Sequence, residues 1–150
     1  MLPLRLVLDT NIIVSAALRP DGLQRTVLSL AIAPPARLYV SVPILAEHQQ
    51  VLSRPRFRIP KGQRQQFLQL LKNRAHLVEP VRRLAVTSDP NDNIFLECAE
   101  AARADYLVTG NLRHFPRFWR QTKMITSREF LTLAAPHLIR YPRTDDGGER

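Results

Sequence analysis

Apolar residues along this chain fall into short runs, separated by polar stretches that proline or glycine punctuates. Leu4 to Leu8 is such a run and reads as a buried strand. Asp9, Thr10 and Asn11 follow it, then the apolar stretch Ile12 to Leu18 and a turn at Pro20, Asp21 and Gly22. Leu23 to Ala31 has helical spacing, and Pro34 with Pro35 stops it. Leu38 to Ser41 reads as a second strand, and Pro43 opens a helix through about Leu52. Arg54 to Pro60 is a loop. Lys61 to Ala75 is an amphipathic helix with Phe67, Leu68 and Leu71 on one side. His76 to Glu79 is a candidate third strand. Asp89 as N-cap and Pro90 in the first turn begin a helix through about Arg103. Tyr106 to Thr109 and Lys123 to Thr126 are further strands, with a short helix near Glu129 to Leu133.

Short apolar strands alternating with helices predict an α/β fold, a three-layer α/β/α sandwich around a central parallel sheet. At 150 residues the chain supports one domain, expected over 1–142, and the polar segment 143–150 reads as a disordered tail. In open parallel sheets the chemistry lies beyond the carboxyl ends of the strands.

Composition narrows the partners. The net charge is +9, which favours polyanions such as nucleic acid, although 19 of the 22 basic residues are Arg, which is also what arginine-rich coding would produce. A single cysteine, Cys98, excludes an internal disulfide framework and fits a reducing cytoplasm. No stretch reaches the roughly 20 apolar residues of a membrane span. Met1 to Leu18 is apolar enough to suggest a secretory signal. Asp9 and Asn11 would then sit inside its apolar region, so the segment reads as mature protein.

Three carboxylates map to the expected site end. Asp9 directly follows the first strand between apolar runs, where a desolvated charge needs a partner. Glu47 falls at the edge of the helical stripe Ile44, Leu45, Val51 and Leu52, while His48 lies within that stripe as a core histidine. Asp92 lies at the edge of the stripe Ile94, Phe95, Cys98, Ala99 and Ala102, and Glu97 and Glu100 face away as a solvated surface. Thr109, Gly110 and Asn111 end another strand. Singly, each acid has an ordinary explanation: Asp9 as a helix cap, Glu47 as a solvent-edge residue, Asp92 as a helix-dipole partner. Together, Asp9, Glu47, Asp92 and Asn111 offer an all-oxygen set suited to Mg2+ or Mn2+. The sequence holds no zinc-type His/Cys cluster, no GxxxxGK[ST] and no GxGxxG.

The segments LVLDTNIIVSA, ILAEHQQVL and SDPNDNIFLECAEAARADYLVTGNLRHF resemble the PIN-domain family. Within it they look most like toxin components of toxin–antitoxin systems, the VapC-like ribonucleases. The resemblance covers about residues 4–135. It implies a PIN-like parallel sheet and a Mg2+- or Mn2+-dependent endoribonuclease cutting single-stranded RNA. It also implies catalytic and metal-binding roles for Asp9, Glu47 and Asp92, with Thr10, Asn11 and Thr109 in support. The place of a fourth acid in such nucleases is held here by Asn111, one negative charge fewer. The same analogy implies a small antitoxin partner and a homodimer.

Acids repel phosphate, so an RNA-cutting site needs a basic rim. Candidates are Arg54, Arg56 and Arg58 around Phe57, and Arg113, His114, Arg117 and Arg120 with Phe115 and Trp119. The alternative for Phe115 and Trp119 is that they tuck into the core. A haloacid-dehalogenase-like phosphatase needs an acid where Asn11 stands, and a receiver domain needs an acidic pair and a late lysine that are not evident. The remaining rival is a non-cleaving PIN-like RNA-binding or protein-interaction module, which Asn111 keeps open.

Overall fold

Six strands form one sheet in the order β3-β2-β1-β4-β6-β5. The computed structural model describes residues 4–134; the expected domain limit at 142 and the tail 143–150 lie outside the described residues. The strands are β1 (Arg5–Leu8), β2 (Arg37–Val40), β3 (His76–Leu77), β4 (Tyr106–Val108), β5 (Phe118–Trp119) and β6 (Thr122–Ile125). The helices are α1 (Thr10–Leu18), α2 (Leu23–Ala31), α3 (Val42–Leu52), α4 (Lys61–Arg74), α5 (Pro90–Ala102) and α6 (Ser127–Ala134). None of these is long and apolar enough to cross a membrane.

All strand pairs are parallel except β5 with β6. The three-layer sandwich stands as expected, with an antiparallel edge strand added. Alternation along each strand feeds two apolar layers. Leu6, Leu8, Val108 and Ile125 pack with α1, α2, α4 and α6. Val7, Leu107 and Met124 pack with Phe95, Cys98 and Ala99 of α5. Burial on both faces explains why these strands read as continuous apolar runs.

Several boundaries differ from the sequence reading. The third strand shrinks to two residues, and the loop Arg54 to Pro60 contains one 3-10 turn, Pro55–Phe57. The last helix extends over Ser127–Ala134, and β5 was not expected at all. Glu97 and Glu100 are not merely solvated. Glu97 accepts from the Leu84 N–H at 2.8 Å. Glu100 accepts both Arg82 Nε at 2.8 Å and Arg82 Nη2 at 3.0 Å, together with Trp119 Nε1 at 3.0 Å. Asn93 is buried and its Oδ1 accepts the N–H groups of Val86 and Thr87, which fastens the loop before α5.

The strand order reverses direction at the centre. From β1 the chain builds outward through β2 and β3 on one side, and β4, β6 and β5 fill the other. The crevice between the carboxyl ends of β1 and β4 is therefore the topological switch point, where open α/β sheets bind ligands.

Candidate active site

Asp9 stands at that switch point. It caps α1, with Oδ1 accepting the Thr10 N–H at 2.7 Å. Its other oxygen, Oδ2, accepts from Thr109 Oγ1 at 2.7 Å, across from the end of β4. The cap and the site are thus the same residue. Asp9 is 7% exposed and Thr109 fully buried, so this pair is fixed at the bottom of the crevice. Thr109 Oγ1 in turn accepts the Asn111 N–H at 2.9 Å. Thr10 Oγ1 lies 2.9 Å from Nδ1 of His48, which is buried and shifted down to about 3 by that burial. His48 is a neutral core histidine, as expected. Two flanking helices are thereby tied to the residues around Asp9.

The charge of Asp9 reaches both other acids. Burial raises the Asp9 carboxyl above its ordinary value, against hydrogen bonds from Thr109 and Thr10 and the charge of His114. Burial also raises Glu47; Arg54 opposes that rise, and Asp9 and Asp89 add to it. Asp92 is raised by burial and by Asp9, Asp89 and Glu47, with His114 opposing. Burial is the first cause at all three, and the charge of Asp9 reaches the other two.

Asp89 was read from sequence as an N-cap alone. It is that, accepting the Asn91 N–H at 2.9 Å, but its charge also reaches Glu47 and Asp92. His114 was expected on the basic rim. Its Nδ1 lies 3.4 Å from Asp92 Oδ2, so it belongs to the acidic site itself. Asn111 is exposed and is tied in through its backbone, its carbonyl accepting from the His114 N–H at 2.9 Å.

The remaining basic candidates divide. Arg54 stands close enough to lower Glu47. Arg56 lies over the Phe57 ring, 4.9 Å from its centroid, and Arg58 ends the 3-10 turn in a left-handed conformation at φ 53°. Arg113 is exposed on the turn beside His114, and Arg117 faces Glu129 at 3.8 Å. Arg120 leaves the set: it follows β5 at the amino end of β6, stacked on Trp119 and 3.4 Å from Glu100. Phe115 is buried and Trp119 half-buried against the α5 layer, the alternative that the sequence had left open. The Cys98 thiol is buried and pushed up to about 12, so it is no nucleophile.

The expected donors Asp9, Glu47, Asp92 and the exposed Asn111, with the Asn11 amide beside them, would offer hard oxygens. Asn11 Oδ1 is buried without a hydrogen-bond partner among the described residues, a spare acceptor where its side chain meets Gly110. The donor chemistry fits a hard divalent cation. No three His, Cys, Asp or Glu side chains among the described residues converge tightly enough to grip an ion by themselves.

Residues 5–113 match a family model described as a PIN domain. Over 111 residues the chain is 27% identical to the uncharacterized protein MJ1680 of Methanocaldococcus jannaschii, covering 72% of this chain and 71% of that one. Among solved structures it is similar to VapBC2 of Rickettsia felis bound to a DNA fragment from their promoter, with a TM-score of 0.58 and 21% identity. That match covers 82% of this chain and 98% of the other. At such identity the structural likeness establishes the fold. The family match spans most of the chain and includes the segments that carry Asp9, Glu47 and Asp92, and on that ground the chain belongs to the PIN-domain family.

Proposed function

We propose that this protein is a metal-dependent endoribonuclease that hydrolyses phosphodiester bonds of single-stranded RNA, and that it is the toxin of a toxin–antitoxin pair. One observation carries the reading: burial raises the carboxyls of Asp9, Glu47 and Asp92, and the charge of Asp9 adds to the rise at both Glu47 and Asp92. Such an excess of negative charge is relieved by a cation.

Asp9 and Asp92 would hold Mg2+ or Mn2+, with Glu47 completing its surroundings or orienting the attacking water. A bound divalent ion supplies a water of lowered pKa and positive charge at the phosphate. The Asp9 oxygens accept from the Thr10 N–H and Thr109 Oγ1, and the Asn11 N–H also helps hold the carboxylate. Thr109 and the Thr10 N–H fix the carboxylate's orientation. Arg54, Arg113 and Arg117 draw the phosphate chain past acids that would otherwise repel it.

The test is cleavage of a labelled single-stranded RNA with Mn2+, with Mg2+ and with chelator, beside Asp9→Asn. Metal-dependent cleavage that the variant loses supports the reading. Equal cleavage by both proteins places the activity elsewhere. Absence of cleavage by either favours the second reading, a non-cleaving RNA-binding or protein-interaction module. The exposed Asn111 and the wide spacing of the acids support that second reading.

The similar Rickettsia structure is a VapBC2 complex, and we extend a VapB-like partner to this chain. A small antitoxin would insert a peptide at the acidic pocket, and a neighbouring gene product that co-purifies would support it. Homodimerisation would appear as concentration-dependent sedimentation. A buried, solitary cysteine agrees with a cytoplasmic protein.

A further inference from the structure

The β5 edge carries an aromatic residue that the fold does not use. Its two residues point to opposite faces of the sheet. Trp119 turns toward α5, where Glu100 accepts its indole N–H at 3.0 Å. Phe118 turns to the other face and is 56% exposed, whereas nearby Phe115 is 8% exposed. Lys123, its cross-strand partner on β6, places Nζ 5.9 Å from the Phe118 ring centroid. Arg117 is the next residue along, and its contact with Glu129 at 3.8 Å joins two half-exposed side chains that solvent screens.

We propose that Phe118 is a base-stacking platform for single-stranded RNA, with Lys123 and Arg117 on the adjoining phosphates. The proposal rests on the nuclease reading, because it places the platform on the strand's path away from the acids. The path is short. The chain runs from Asn111 through His114 beside Asp92 to Arg117 and Phe118. Across the sheet, β1 and β5 are three strand spacings apart, about 14 Å, and Phe118 lies level with Leu6, three residues or about 10 Å before Asp9 along the strand, so the separation is about 17 Å. That is roughly five nucleotides at a stacked rise of ~3.4 Å each. An exposed ring flanked by cations is the pairing that holds single strands without reading sequence. Beside Phe118, Arg117 and Lys123 outnumber Glu129. Leu77 and Val81 are also exposed near β3, but there Glu79 and Glu97 balance Arg82 and Arg83.

The test is fluorescence anisotropy of the full chain with a labelled 12-nucleotide single-stranded RNA in chelator, where nothing is cut. Emission of the sole tryptophan, Trp119, checks that each variant is folded. Phe118→Ala should weaken binding between about 5-fold and 100-fold, and Phe118→Tyr should restore it. Phe118→Leu should not restore it, because leucine keeps the apolar surface but not the flat ring. Lys123→Ala should lower the slope of log affinity against log salt by about 0.7. Parent-like binding by Phe118→Ala or by Phe118→Leu overturns the platform while leaving metal-dependent cleavage intact. Should Phe118→Ala instead lose a co-purifying protein partner and keep RNA affinity, the edge is a protein interface and the proposal falls. A parent chain that neither binds nor cuts RNA removes the nuclease reading and the platform together.

Discussion

Helix α5 carries two carboxylates that its surroundings push in opposite directions. Asp92, in the first turn, has the favourable end of the helix dipole and His114 at 3.4 Å, yet its carboxyl is raised by burial and by three neighbouring acids. Glu100 lies about 12 Å further along the axis. It is lowered from the ordinary 4.5 to about 2, first by its hydrogen bonds from Arg82, then by Trp119 and Arg120. One carboxylate is answered from within the chain and the other is not. Glu100 gathers the loop at Arg82 and the β5–β6 hairpin onto α5, which is a structural duty. Asp92 stays raised despite His114, and on the proposed reading a bound cation would complete its charge balance.

The largest expected effect breaks the uncompensated end. Asp9→Asn should reduce metal-dependent RNA cleavage by at least about 100-fold, the scale of losing one electrostatic anchor of a reaction site. Its melting temperature should hold or rise, because the substitution removes a buried charge and keeps an acceptor for Thr109. A marked fall in melting temperature would make Asp9 a structural acid like Glu100 and erase the contrast.

Glu100→Ala should do the reverse. It leaves Arg82, Arg120 and the Trp119 indole without their acceptor, at a cost of about 1–2 kcal/mol measured by urea unfolding. Cleavage at a temperature well below the transition should stay within twofold of the parent. Loss of cleavage with full stability would place Glu100 in the reaction instead.

Mn2+ should sharpen the comparison from the other side. At ten times its dissociation constant the ion stabilises the folded chain by about 1.4 kcal/mol, read as a rise in melting temperature. The rise should vanish in Asp92→Asn and persist in Glu100→Ala, since sites this far apart act independently. An equal rise in all three proteins would mean that the ion binds elsewhere.

Asp9 was legible because an acid between two apolar runs at a strand end is a local pattern. Glu47 and Asp92 followed from helix phase and from the rule that places chemistry at carboxyl strand ends. Glu100 was misread by the same helical phase. The wheel turns it away from the core, and nothing local shows that Arg82 and Trp119, 18 and 19 positions distant, return to it. Strand β5 was missed because two residues hold no period; its place depends on pairing with β6 and on the Trp119–Glu100 hydrogen bond. His114 looked like one of a basic run, and only the turn Leu112–His114 brings its ring to Asp92. Asp89 showed its cap but not its reach toward Glu47, which depends on how α3 and α5 pack.

The smallest effect tests whether Glu100 is a charge or only an acceptor. Its carboxyl is lowered on folding, so the ionised form binds its partners better than the protonated form. Stability from this ionisation is complete above the unfolded value of 4.5 and is lost as pH falls toward 2. Glu100→Gln keeps an acceptor oxygen and cannot ionise. The difference in unfolding free energy between the parent and Glu100→Gln should therefore be flat near neutrality and shrink as the pH falls below 4.5. Its plateau should be about 0.5–1 kcal/mol, because Arg82 and Arg120 are 46% and 58% exposed and water screens them. A difference that stayed constant down to pH 2.5 would show that the oxygen, and not its charge, holds the hairpin, and the opposition between the two ends of α5 would then be one of geometry alone.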